Sequence, residues 1–517
     1  MTPERRTLFS HSVASGEPTA SGVVLWTRAA GDADVDLVWE VADDEGFRNV
    51  VASGTAAASP THDGCVRVIV DGLDAGSTYH YRFSAGDDVS PTGRTRTLPV
   101  APVEHVRFAI FSCAKYSAGY FNALGRIADR DDIDFVVCLG DYIYEYGNDD
   151  PGLGAEIGRA FDPPHRCYDL ADYRTRYAQS RSDPDMRRMH ERHPIVALPD
   201  DHEFADNTWR GGAKKHDDAH DGDWRKRFRE AFQAWTEWIP SRVEADADEI
   251  RLFRHLELGD LADLILLDTR TRRDRQAQGR EVEDEDRTLL GRDQFEWLTD
   301  RLTGSSATWR LIGQQVMIAQ VDSDLLPEDL GDPLGELGVL TERDHGPEPD
   351  QWDGYPAERR RLLHDVTDHG VRDVVFLSGD VHSAWACDLR LDPHDGDDAI
   401  VAVEFCTTSV TSENLDDHTG WGYRTRSPAV ERELIDANPH IHWAEVDSHG
   451  YMLVDVTPER VETQWHFVDT LLHPSDGVRL GGAWQVRRGT HTLEPVERPS
   501  DRSPASIGGE GRSPWPT

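Results

Sequence analysis

Lysine is almost missing from this sequence. The 517-residue chain has only Lys115, Lys214, Lys215 and Lys226 against 51 arginines. Its 96 acidic residues outnumber 55 basic ones, for a formal charge of −41 at pH 7. The carboxylates run along the whole chain and do not gather in a tail. A field of that sign repels nucleic acid and anionic membrane surfaces, which excludes a nucleic-acid-binding role. It also strains the folded state by self-repulsion unless salt screens it, and at 1 M salt the Debye length is only ~3 Å. The composition reads as that of a salt-adapted protein.

Cysteine is sparse as well. There are six (Cys65, Cys113, Cys138, Cys167, Cys387 and Cys406), none in a CxxC pair. That excludes a disulfide scaffold and a zinc ribbon. No apolar run reaches the ~20 residues of a membrane-spanning helix, which excludes an integral membrane protein of that kind. The opening text MTPERRTLFSHSVASG has no apolar segment behind Arg5 and Arg6. The chain as written is therefore expected to carry no signal peptide, and to be cytoplasmic if that start is genuine.

At ~100–200 residues per domain, the length predicts two or three domains. Residues 1–100 read as all-β. VVLWTR, VDLVWEVAD, CVRVIV and YHYRFSAG are short runs separated by Gly, Asp and Ser turns. LDAGSTYHYRF resembles the turn-then-Tyr element of fibronectin-type sandwiches, in which a tyrosine hydroxyl bonds back to the backbone. LPVAPVE, residues 98–104, reads as a linker. From residue 105, apolar runs (RFAIFSCA, DFVVCLGD, PIVALPDDHE, DLILLDTR, RLIGQQV, DVVFLSGD) alternate with charged helical text such as RDQFEWLTDRL. Strands without internal alternation are buried on both faces, which predicts a layered α/β domain over 101–487. Residues 488–517, rich in Pro, Ser, Gly and charge, read as a disordered tail.

The chemistry lies at the ends of the apolar runs. Cys113 ends the first. Asp141 ends the second, with Tyr144 three residues on. Asp200, Asp201, His202 and Glu203 end the third, Asp268 the fourth, and Asp380 with His382 the sixth. Ligands of open α/β sheets bind outside the carboxyl ends of the strands. Thiol, phenol, imidazole and carboxylates gathered there would repel one another without cations between them, so a polynuclear metal site is expected. Singly, each has an ordinary reading. A cysteine after a strand is a core residue, Gly-Asp is a turn, and Asp268-Thr269-Arg270 is a structural ion pair or a group behind the ligands. Thiolate and phenolate are strongly donating anions that suit a highly charged transition-metal ion, whereas carboxylates such as those of Asp201 and Asp380 suit a hard cation. Arg166 and Arg210 are candidates for adding local positive charge for an anionic ligand. His165, His190, His193 and His440 read as surface or supporting residues.

The texts HSVASGEPTASGVVLWTR, FSCAKYSAGYFNAL, LGDYIYEYG, LPDDHEFADNTW, GDLADLILLDTR, GQQVM, WDGYPAER, SGDVHSAWACDL and EFCTTSVTS occur in this order. They resemble the PhoD-like alkaline phosphatases of the calcineurin-like metallophosphoesterase superfamily, over roughly residues 7–470. The resemblance implies a fibronectin-like N-terminal sandwich followed by a four-layer αββα catalytic sandwich. It implies one ferric iron with one or two calcium ions. Cys113, Asp141, Tyr144 and His382 match the iron ligands, with Asp141 bridging. Asp201 and Asp380 match the calcium side, with Asp200 and Asp268 as further candidates. His202 matches the catalytic histidine. Gln314 or Gln315 stands where many superfamily members place another metal-binding histidine. The implied reaction is hydrolysis of phosphomonoesters and phosphodiesters by a hydroxide formed at the metals. The alternatives are a phospholipase D-like phosphodiesterase with little monoesterase activity, and a non-catalytic calcium-binding surface protein. The family also implies export by the twin-arginine route.

Overall fold

The computed structural model describes residues 8–29, 31–150, 154–243, 250–321, 350–391 and 399–500. The Arg5-Arg6 pair and residues 501–517 lie outside them.

The first hundred residues form β1 (Val13–Gly16), β2 (Gly22–Arg28), β3 (Val35–Ala42), β4 (Val50–Ala58), β5 (Cys65–Asp71), β6 (Thr78–Ala85), β7 (Asp88–Val89) and β8 (Gly93–Arg96). In β6, Tyr79, Tyr81 and Phe83 are buried and alternate with half-exposed neighbours, as the period-2 pattern predicts. The Tyr79 hydroxyl accepts the backbone N–H of Asp74 at 2.9 Å. β3, β4, β6 and β7 form one sheet, with β8 paired to β6.

The chain continues through β9 (Val106–Phe111), β10 (Phe135–Cys138) and β11 (Ile195–Ala197). Next come β12 (Arg254–Leu258), β13 (Ala262–Leu266), β14 (Trp309–Gly313), β15 (Val374–Ser378), β16 (Ala384–Arg390), β17 (Ile400–Cys406) and β18 (Ile441–Glu445). The last strands are β19 (Gly450–Val456), β20 (Arg460–Val468), β21 (Val478–Arg487) and β22 (Leu493–Pro495). A seven-stranded sheet runs β12-β13-β14-β15-β17-β16-β18, and a ten-stranded sheet runs β22-β21-β20-β19-β9-β10-β11-β1-β2-β5. β9, β10 and β11 are mutually parallel, as are β13, β14, β15 and β17.

The uninterrupted apolar runs are explained by burial on both faces. Phe108, Ile110, Val137 and Val454 from one sheet meet Leu264, Leu311, Val375 and Phe405 from the other in one apolar cluster. The alternate residues of the ten-stranded sheet, such as Phe111, Val136 and Cys138, pack on helices Asn122–Ala128, Leu170–Ser182 and Trp224–Trp238. Those of the seven-stranded sheet, such as Ile265, Ile312 and Phe376, pack on helices Arg292–Gly304 and Pro356–Asp368.

Strand pairing crosses two of the expected boundaries. The sheets do not divide at residue 100, because β1 joins the later strands through the parallel pair Gly16↔Ile195 and brings β2 and β5 with it. Only a residue without a Cβ fits there. A methyl group on Gly16 would lie 2.3 Å from the Pro240 carbonyl oxygen and 2.6 Å from that of Ile195. The ordered fold also passes residue 488. β22 pairs with β21, Leu493 is buried, and its N–H donates to Asp388. One buried leucine outweighs the polar composition around it.

Candidate metal centre

The parallel strands of both sheets point their carboxyl ends to one edge. β9 leads to Cys113, β10 to Asp141, and β11 to Asp200, Asp201 and His202. From the facing sheet, β13 leads to Asp268 and Arg270, β14 to Gln314 and Gln315, and β15 to Asp380 and His382. The turns are tight. Cys113 (φ 58°), Asp141 (φ 53°), Asp380 (φ 68°) and His382 (φ 49°) all take left-handed backbone. This conformation is disfavoured for residues with a Cβ and concentrates at functional sites. Gly140 makes the Asp141 turn possible. Its φ is 111°, and a Cβ would stand 2.3 Å from that of Asp200.

Three groups of potential ligand atoms result, each within 4.8 Å of one another: Cys113, Asp141 and His382; Asp141, Asp201 and His202; and Asp141, Asp200, Asp201 and Asp380. Asp141 belongs to all three. The Tyr144 hydroxyl joins the first group, donating to Asp141 Oδ2 at 2.9 Å and lying 3.4 Å from His382 Nε2. The Ser412 hydroxyl bonds the Tyr144 oxygen at 2.6 Å and the Cys113 carbonyl at 3.0 Å.

The electrostatics show what these groups lack. Burial, aggravated by Asp201, Glu203 and Asp380, pushes the Asp141 carboxyl far above its usual range against the pull of His202. Burial, then Asp141 and Asp380, does the same to the Cys113 thiol. Burial, then Asp141 and Cys113, raises the Tyr144 phenol. Burial lowers His382 to about 3, leaving a neutral imidazole. Its Nδ1 is 2.9 Å from the Glu413 carbonyl oxygen, so Nε2 is the nitrogen offered to the cluster. Thiol, phenol, imidazole and four carboxylates in one dry cleft fit a multivalent cation centre.

One guanidinium already stands among the carboxylates. Arg270, fully buried, donates to Asp200, to Asp350, and to Asp380 Oδ1 at 2.9 Å, and lies 3.8 Å from Asp201. Asp350 is held below the usual carboxylate range. Burial would raise it, but Arg270 and Arg273 outweigh that. Arg270 thus offsets part of the negative charge on the Asp200–Asp380 side.

His202 is oriented from behind. Its Nδ1 lies 2.8 Å from Glu145 Oε2, and Glu145 is wholly buried. Burial would raise the Glu145 carboxyl and lower His202. His202 holds Glu145 at about 2, while Asp201, Asp141 and then Glu145 raise His202 above its usual value. The ring faces Tyr144 at 4.2 Å and Tyr146 at 4.9 Å between centroids.

Family models decide the kinship. PhoD-like phosphatase matches residues 108–465, and PhoD-like phosphatase, N-terminal domain, matches residues 2–99. The chain belongs to the PhoD-like phosphatase family. Alkaline phosphatase D of Bacillus subtilis (strain 168) is 34% identical over 508 residues, covering 94% of this chain and 82% of that protein. A solved structure described as the structure of PhoD matches with a TM-score of 0.84 at 32% identity, over 97% of this chain and 95% of that one.

Against this PhoD-like frame, some residues singled out in the sequence stand apart from the cluster. Asp268 caps its own turn, accepting the N–H groups of Arg270 and Thr271. The Gln315 amide joins Thr269 to the Pro199 carbonyl. The Gln314 carbonyl accepts the Trp352 indole N–H at 3.1 Å. Arg210 is ion-paired to Asp274. Arg166 donates to the Lys215 carbonyl at the rim. Two residues in the quoted motifs were given no role in the sequence, Glu145 and Ser412, and Glu203 was placed only as one more carboxylate at the end of a strand. Only the spacing of GDYIYE, with a carboxylate four residues after Asp141, hinted at one of them. Among the described residues, no helix is long and apolar enough to cross a membrane.

Proposed function

We propose that this chain is a metal-dependent phosphoesterase of the alkaline phosphatase D type, acting on phosphomonoesters and phosphodiesters. The observation that carries the reading is the membership of Asp141 in all three ligand groups. One carboxylate shared between neighbouring sets is what a centre of adjacent cations requires. Cys113, Asp141, Tyr144 and His382 would hold Fe³⁺, since thiolate and phenolate are strongly donating anions. Asp141, Asp201 and Asp380, with Asp200 beside them, would hold Ca²⁺, which takes oxygen donors. When bound, the metals would polarise the phosphoryl oxygens and lower the pKa of a water molecule.

The chain's own residues do the rest. Glu145 fixes the proton on His202 Nδ1, so Nε2 is the nitrogen that meets substrate. His202, raised by Asp201, Asp141 and Glu145 despite burial, stabilises charge building on the phosphoryl group or gives a proton to the leaving alkoxide. Arg270 bridges Asp200 and Asp380 and orients both. The two large sheets and their flanking helices support an αββα reading of the catalytic part, and the Tyr79–Asp74 bond supports a fibronectin-type reading of the N-terminal strands.

The test is hydrolysis of matched aryl phosphomonoester and phosphodiester substrates in multimolar salt, before and after chelation. Chelator-sensitive turnover supports the reading, and the monoester/diester ratio separates a general phosphatase from a phosphodiesterase. A metal-loaded, folded protein that turns over neither would refute it. A colourless but fully metallated and active protein would refute the Tyr144–Fe³⁺ assignment.

A further inference from the structure

With 51 arginines and four lysines in the chain, lysine is the exception wherever it stands. Two of the four flank one aromatic ring. The ammonium groups of Lys115 and Lys215 lie 5.5 Å and 4.7 Å from the centre of Tyr146. That ring in turn meets the His202 ring edge-on at 4.9 Å.

The two lysines are not equivalent. Lys115 is buried and saturated, donating to Asp150 Oδ2 at 2.5 Å and to both Glu413 oxygens at 2.9 and 3.1 Å. It ties two loops and holds one side of Tyr146. Lys215 is open, with 45% of its side chain exposed. Asp206 Oδ2 at 3.3 Å and the Tyr146 hydroxyl at 3.5 Å leave capacity in an ammonium with three N–H donors. Arg166 packs behind it, donating to the Lys215 carbonyl at 2.9 Å. An ammonium is a compact point charge on a flexible stem, suited to an anion whose position varies, whereas a guanidinium demands a planar partner.

We propose that Lys215, backed by Tyr146 and Arg166, is a specificity-determining contact for a second anionic group on the substrate, one link away from the reacting phosphorus. The preferred esters then carry a further phosphate or carboxylate on the alcohol arm. The chain's net charge of −41 repels such a molecule, so an exposed ammonium on the Tyr146 ring that meets His202 gives the arm a local place to lie. This inference rests on the phosphoesterase reading.

The test uses the metal-loaded full chain and two p-nitrophenyl phosphodiesters with the same scissile bond, one with an alcohol arm ending in a hydroxyl and one in a carboxylate, which the enzyme cannot itself hydrolyse. The wild type is expected to favour the carboxylate-ended ester by about tenfold in kcat/KM, the scale of one charge-assisted hydrogen bond. Most of that is expected in KM. Lys215→Gln brings the ratio close to one, and Lys215→Arg keeps part of it. The wild-type preference also shrinks as salt rises, because the contact is exposed. Turnover of both esters with no preference, or a preference that Lys215→Gln leaves intact, overturns the inference alone. Turnover of neither overturns the phosphoesterase reading beneath it.

Discussion

The Nδ1 atom of His202 lies 2.8 Å from Oε2 of Glu145, a carboxylate with no exposed surface. Glu145 also accepts the backbone N–H of Asp206 at 3.0 Å, so its position does not depend on the histidine. It sets which imidazole nitrogen carries the proton. Glu145→Gln keeps the shape and removes one of the charges that raise His202, beside those of Asp201 and Asp141. Turnover should fall by about 10- to 100-fold, the range seen when a partner behind a working histidine is lost. KM should change little. Steady-state kinetics with metal content measured alongside checks this, and unchanged kcat would refute the orienting role.

His202→Ala should retain the metals and lose most turnover, because Cys113, Asp141, Tyr144 and His382 are untouched. Metal analysis beside single-turnover assays distinguishes a lost proton donor from a lost ligand. Full turnover in the variant would refute the catalytic role.

Glu203 stitches two turns together. Its carboxylate accepts the N–H groups of Asp141 at 3.1 Å, Tyr142 at 2.6 Å and Asp200 at 2.7 Å. Leaving a buried donor unpaired costs about 1–3 kcal/mol. Glu203→Ala strands three of them, so denaturant unfolding should show a loss of several kcal/mol and metal retention should fall. Stability within ~1 kcal/mol of wild type would refute this account.

Glu404 gives a pH dependence away from the metal ligands. It accepts Ile318 and Ala319 N–H groups and the Ser378 hydroxyl, and burial raises its carboxyl from 4.5 to about 7. A raised folded value means that the folded state binds the proton more tightly. The associated stability is complete below pH 4.5 and is lost as pH rises through about 7. At ~1.4 kcal/mol per unit, this is on the order of 3 kcal/mol. Denaturant midpoints across that window should fall with pH in the wild type relative to Glu404→Gln. Parallel profiles would refute it.

The net charge predicts salt stabilisation. Raising NaCl from about 0.1 M to about 2 M shortens the Debye length from ~10 Å to below 3 Å, so the unfolding midpoint should climb steeply. A flat profile would mean that ion pairs such as Arg424 with Glu431 and Glu445 already balance the field.

Strand ends were legible in the sequence because an apolar run that stops at Cys113, Asp141, Asp201 or Asp380 has to turn there. Side chains whose partners come from distant segments were not. Glu145 reads as an ordinary acid in an acidic chain, and Glu203 as one more strand-end carboxylate, until the turns close over them. Gln314 and Gln315 follow a strand as the metal candidates do, yet spend their amides on Trp352, Thr269 and Pro199. The reach of β1 into the large sheet was hidden because pairing Gly16 with Ile195 is a contact between residues 179 apart.

By itself, then, the order of residues determined which elements form and which chemical groups stand at their ends, because period, burial and turn chemistry act over a few neighbours. The tertiary structure alone decided which groups share a site, which carboxylate holds which backbone turn, and how Lys215 and His202 come to share the Tyr146 ring. Those are distances between segments far apart in the chain, set by how two sheets pack face to face.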